Sequence, residues 1–191
     1  QTVRIEFIKT GPIIEAGTIA PRVIARATSV SETDSTLMVI HMDAPWQLTL
    51  LRPTCEVTTP NITVDLGQIS MADFDATGQT RPIDFGINLD CIGGTDTTNV
   101  HVTLTDANNP SNTTSQLSLA PGSEAQGIAL EVNNRNGLVT FGPDLSGIGN
   151  PGQWLDGAAA AGNYSIPLSV NYVRRPGPIK GGTANSGVTY T

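Results

Sequence analysis

The chain has 191 residues, and only 14% of them are charged against 38% hydrophobic, a balance that excludes a solvated disordered polyelectrolyte. Its net charge of −7, with Arg174-Arg175 as the sole adjacent basic pair, excludes a nucleic-acid binder, which needs clustered Lys and Arg. No apolar run approaches the roughly 18 residues that cross a membrane as a helix.

Short apolar runs separated by Gly, Pro, Asn, Asp, Ser and Thr predict an all-β sandwich or barrel. Residues 2–8 alternate through Val3, Ile5 and Phe7 and stop at Gly11-Pro12. A second extended stretch covers 19–30, and 37–40 is a continuous apolar strand. Residues 46–51 alternate through Trp46, Leu48 and Leu50, and Arg52-Pro53-Thr54-Cys55 reads as a linker. Beyond it, Ile62, Val64 and Leu66 alternate with Thr63 and Asp65, and 71–74 fits a short helical turn. Residues 83–91 alternate strictly through Ile83, Phe85, Ile87, Leu89 and Cys91, and 100–105 alternate too. Strands at 126–132 and 138–141 flank a hairpin signal ending in Asn136-Gly137. The longest strand is expected at 164–173 and a last extended segment at 187–191. The Ala-rich stretch 157–162 is too short for a stable isolated helix. About seven strands after Cys55 fit an immunoglobulin-like sandwich. The part before Cys55 is thin for an independent domain and reads as the closing portion of an earlier one.

The two cysteines, Cys55 and Cys91, stand 36 residues apart. Two are too few for a zinc site, and His41 and His101 lie in other segments. A disulfide is the favoured reading, over two buried free thiols, and implies an oxidising compartment. Such a bridge stabilises by roughly 3–4 kcal/mol on the chain-entropy model. No signal peptide is visible at Gln1, so the chain is expected either to have lost one or to begin partway through a longer protein.

The residues from Cys55 onward resemble pilin domains of the chaperone–usher fimbrial family, of the type 1 kind. The carriers, in order, are Cys55, then Gly78 with the run Phe85-Gly86-Ile87-Asn88-Leu89-Asp90-Cys91, and then Gly127-Ile128-Ala129-Leu130. The strand ending in Tyr172 follows, and then Gly182 with Gly187-Val188-Thr189-Tyr190-Thr191. Residues 1–53 resemble the last strands of the receptor-binding domain of two-domain tip adhesins, through 4–12 and Gly17-Thr18-Ile19. Gly182 lies closer to Tyr190 than the family pattern has it, so the chain is expected to stop a few residues short of the usual end.

The resemblance implies an all-β fold. The carboxyl-terminal part of a receptor-binding β domain (1–53) is followed by an incomplete immunoglobulin-like pilin domain (54–191). Such a domain lacks one strand, and the gap exposes an apolar groove and unpaired backbone. Another chain fills it by strand addition. Implied partners are a periplasmic chaperone, an outer-membrane usher, the next pilus subunit through its donor strand, and a host or surface receptor such as a glycan. The implied location is the periplasm in transit, then the cell surface on the pilus. Ile62, Val64, Leu66, Val188 and Tyr190 are expected to flank the groove. Read without the resemblance, these five are ordinary core. A tip adhesin is the favoured role, because several strands precede Cys55. A purely structural shaft or adaptor pilin and a secreted carbohydrate-binding sandwich are the alternatives.

Catalysis is the least supported class. His101 and Asp106 lack the strained nucleophile turn of a G-x-S-x-G hydrolase, and His101, like His41, reads as a strand histidine. Asp84, Asp90, Asp96 and Asp106 follow no calcium-loop pattern and read as solvated carboxylates, so no metal or cofactor is expected. The Asn-x-Ser/Thr matches at Asn61, Asn112 and Asn163 are expected by chance in so Thr-rich a chain. Trp46, on an alternating strand, is expected to be buried; Trp154 is placed in a Gly-rich loop. No receptor-binding residue is assigned.

Overall fold

Alternation of apolar and polar residues organises most of the chain, and the structure, a computed structural model, describes residues 6, 8, 16–28, 36–49 and 53–191. The chain divides into two units, Gln1–Leu51 and Arg52–Thr191. The expected strand at 2–8 and its stop at Gly11-Pro12 lie outside the described residues, as do most of the residues that carry the amino-terminal resemblance.

In the first unit, β1 (Gly17–Ile19) pairs antiparallel with β4 (Trp46–Leu48), and β2 (Arg22–Thr28) with β3 (Thr36–Met42). Met42 is the one buried hydrophobic residue among those described in this unit. Trp46, expected to be buried, is 43% exposed. Alternation fixes which side chains share a face, and burial needs a second layer over that face.

In the second unit, a five-stranded sheet runs in the order β10-β9-β12-β6-β5. Its members are β5 (Thr54–Val57), β6 (Ile83–Ile92), β9 (Ile128–Asn134), β10 (Gly137–Leu138) and β12 (Gly162–Arg174). Two further ladders join β7 (Thr98–Val102) to β11 (Trp154–Ala159) and β8 (Leu104–Asp106) to β13 (Val188–Tyr190). Ile87, Leu89, Val102, Leu104, Leu130, Val132, Phe141, Ile166, Leu168 and Tyr172 form the core. Along β6, Ile87, Leu89 and Cys91 are buried while Asn88 and Asp90 are exposed, as period-2 alternation requires. A single-turn 3-10 helix, Met71–Asp73, sits where a helical turn was expected, held by a Ser70/Asp73 capping box.

Four expectations change. Thr54 and Cys55 are no linker: they begin β5, with Thr54 opposite Ile92 and Cys55 opposite Cys91. The Cys55–Cys91 disulfide joins that cross-strand pair. Trp154, expected in a loop, opens β11, which runs into the Ala-rich stretch. Gly and Ala carry little strand preference, so the strand was not legible there. Between Leu155 and Gly157 β11 slips register, and a Cβ at Gly157 would lie 2.5 Å from the Tyr164 hydroxyl, so a larger residue there would displace that ring's tip. Ile83 sits 36% exposed at the start of β6 and does not join the core with Ile87. The fourth change concerns residues 61–69, which alternate like a strand and pair with none among the described residues.

Candidate functional site

Residues 61–69 leave the end of β5 as an extended segment. Thr58 donates its N–H to the Asn88 carbonyl (2.8 Å), and Asn88 N donates to Thr59 Oγ1 (2.9 Å), so the segment starts pinned to β6. Beyond Pro60 the pinning ends. No backbone N–H or C=O of 61–69 meets a backbone partner among the described residues. The Gly67 N–H is taken locally by Asp65 Oδ1 at 2.8 Å. Ile62, Val64, Leu66 and Ile69 are half-buried against the core, while Asn61, Thr63 and Asp65 are exposed.

Opposite runs the carboxyl-terminal stretch 179–190. Its last part, β13, pairs with β8: Val188 stands opposite Asp106, Thr189 opposite Thr105, Tyr190 opposite Leu104. The Gly187 carbonyl accepts from Ala107 N, and Thr191 exchanges both bonds with Thr103 (2.8 and 3.0 Å). In an antiparallel ladder these bonded positions alternate with non-bonded ones. The backbone groups of Val188 and Tyr190 therefore point away from β8, toward 61–69. Upstream, the Thr183 carbonyl accepts from Glu124 N and Ala125 N, and Asn185 O from Ala120 N. The approach is close because residue 182 is glycine: a Cβ there would lie 2.5 Å from Glu124 Cβ.

Between these two walls lies an open groove of about 1220 Å³. Its floor is apolar: Phe85 and Ile87 from β6, Leu168, Val170 and Tyr172 from β12, Ile128, Leu130 and Val132 from β9, with Leu104 and Leu117. Ile62, Val64 and Leu66 line one side and Val188 and Tyr190 the other, so the five residues singled out in the sequence share one cavity. Two features of the site carried no readable signal. The stretch 179–187 lacks alternation, and floor residues such as Tyr172 look like any other core positions in the sequence.

The paired wall rests on a buried carboxylate. Asp106, at the end of β8, is fully buried and not the solvated side chain expected. It accepts from Asn108 N (2.9 Å), Asn109 N (3.1 Å), Asn112 Nδ2 (2.9 Å) and Ser118 N (3.0 Å). Burial pushes its pKa up, but the Asn112 amide and the backbone donors together outweigh burial and leave the carboxyl below its ordinary range. Asn112, one of the Asn-x-Thr matches, is thus a buried structural residue. In the floor, burial and then the nearby Asp65 charge raise the Tyr172 phenol above its usual pKa.

The remaining candidates are dispersed. His101 is half-buried on β7 opposite Leu155, with no hydrogen bond to Asp106, and His41 is exposed on β3. Asp84, Asp90 and Asp96 are exposed, and among the described residues no three His, Cys, Asp or Glu side chains are grouped to hold a metal.

The model of the family described as "Fimbrial protein" matches residues 46–191. The F17c-G and F17b-G fimbrial adhesins of Escherichia coli are each 32% identical to the chain over 151 residues, covering 77% of it and 43% of their own length. The chain thus spans less than half the length of these relatives. Two solved structures share the fold. The P pilus rod subunit PapA has a TM-score of 0.52 at 18% identity, over 72% of this chain and 96% of its own. The CupB6 tip adhesin from Pseudomonas aeruginosa has a TM-score of 0.56 at 18% identity, over 86% of this chain and 48% of its own.

Proposed function

The chain belongs to the fimbrial protein family, and from that premise we propose that it is a pilus subunit whose groove accepts a β-strand from another protein. The observation that carries the reading is the wall 61–69. Its side chains alternate as in a strand, it borders an apolar floor, and among the described residues its backbone meets no other backbone, with only the Gly67 N–H taken locally by Asp65. A buried or half-buried backbone polar group without a partner costs free energy comparable to a lost hydrogen bond. A strand entering the groove would meet free donors and acceptors on both walls and bury the floor at the same time. During assembly that strand comes from a periplasmic chaperone delivering the subunit to an outer-membrane usher, and in the pilus from the next subunit. The protein then resides at the cell surface.

We place the subunit at the pilus tip, as an adhesin, and not in the shaft. Two observations favour this: the relatives above 30% identity are fimbrial adhesins, and a separate unit with strands β1–β4 precedes Cys55. On this reading residues 1–53 close a receptor-binding domain that reads a surface receptor such as a glycan.

The test is purification of the full chain with and without a synthetic peptide of alternating valine and threonine. The chain alone is expected to aggregate or to need a periplasmic chaperone, and the peptide is expected to yield a monomer with a higher melting temperature. A stable monomer whose melting temperature ignores the peptide would contradict a strand-accepting groove.

A further inference from the structure

The groove is not alike at its two ends. The walls run antiparallel: Thr59 and Pro60 stand near Tyr190, and 66–69 lie toward the far end. At that far end lies a second cavity of about 490 Å³, lined in part by Leu66, Gln68, Ile69 and Tyr172, which also line the groove. At the near end the Tyr190 hydroxyl donates to the Thr59 carbonyl of the opposite wall at 2.6 Å. A strand added between two others needs about 4.7–4.9 Å on each side. Here the phenol ring spans from wall to wall instead.

Both anchors of this span are held firmly. Thr191, next to Tyr190, is doubly bonded to Thr103, and Thr59 Oγ1 accepts from Asn88 N on β6. β6 is also tied by the Cys55–Cys91 disulfide to β5, from which the wall departs. The bond between Tyr190 and Thr59 is thus a cross-brace between two fixed frameworks.

From this geometry we infer that Tyr190 is a positioning residue that stops an entering strand and sets its register. The occupant is an extended segment of another chain with apolar side chains at every second position. Its in-pointing residues occupy the groove up to the Tyr190–Thr59 brace, and any excess length leaves past Leu66 and Ile69. A slip by one residue would turn the apolar face outward, so the competing register lies about two residues away. The inference rests on the strand-accepting reading of the groove.

The experiment uses the full chain and an alternating valine–threonine peptide carrying a photoreactive benzophenone at one end. In the wild type the label is expected to cross-link at one position of the wall. Tyr190→Phe cuts the brace and keeps the ring, and Tyr190→Leu removes both. In each the cross-link is expected to spread to a second position shifted by about two residues. Thermal unfolding of both variants is recorded alongside, since a merely structural role would lower stability and leave the register single. A single unchanged cross-link in Tyr190→Phe overturns the inference, even should Tyr190→Leu fail to fold. No cross-link within the groove of the wild type overturns the strand-accepting reading itself, and the inference with it.

Discussion

Residues 61–69 and strand β6 carry the same pattern, an apolar side chain at every second position, and meet opposite fates. β6 is hydrogen-bonded to β12 from Ile83 to Cys91 and, on its other edge, to β5 from Leu89 to Ile92, and buries Ile87, Leu89 and Cys91. Residues 61–69 have no backbone partner among the described residues and leave Ile62, Val64 and Leu66 half-buried over an open groove. Alternation reports that one face is meant for an apolar environment. It is silent on which chain supplies the neighbouring backbone. On the proposed reading, the difference between the two segments marks where a strand of another chain enters.

Truncation separates them most sharply. Leu89→Ala, in the paired segment, is expected to cost about 2–5 kcal/mol of stability, because a buried side chain leaves a cavity. Val64→Ala, in the unpaired one, is expected to cost about 1 kcal/mol in the free chain, since its side chain is only partly buried. With the alternating peptide bound, the Val64→Ala cost is expected to rise. Urea unfolding with and without peptide reads all these values, and equal costs at the two sites in the free chain would break the comparison.

A smaller effect probes the wall that is already paired. Asp106 holds the turn after β8, and its folded pKa lies below the unfolded one. Its contribution is therefore present above the unfolded carboxylate value, about 3.9, and is lost as the pH falls through the folded pKa. Asp106→Asn is expected to destabilise by about 1–3 kcal/mol at neutral pH, because an amide presents a donor to backbone N–H groups. The gap to the wild type should narrow in acid. A gap that stays constant between neutral and acid pH would show that the charge of Asp106 is not what holds the turn.

Much of the fold was legible because it obeys local rules. The alternation from Ile83 to Cys91 marks β6, and the Asn136-Gly137 signal marks the β9–β10 hairpin. Ser70 before Met71 begins the short helical turn. What escaped depends on distant contacts. The strand at Trp154–Ala159 lacks β-branched residues and is defined by its pairing with β7. Trp46 alternates as a buried residue would, yet burial is decided by what covers the face. The role of Asp106 is set by donors from four positions, Asn108, Asn109, Asn112 and Ser118. For the groove, the five wall residues were identified through the family resemblance. The floor was not, because a groove floor and a closed core have the same composition.

The central claim is that the backbone of 61–69, with that of Val188 and Tyr190, waits for a strand from another chain. Hydrogen–deuterium exchange of these amides, measured on the full chain with and without the alternating peptide, tests it most directly. The account predicts fast exchange of 61–69, Val188 and Tyr190 in the free chain, next to slow exchange of the β6 amides bonded to β12. It predicts protection of both walls once the peptide is bound. Slow exchange of 61–69 without peptide, or exchange that the peptide leaves unchanged, would contradict it.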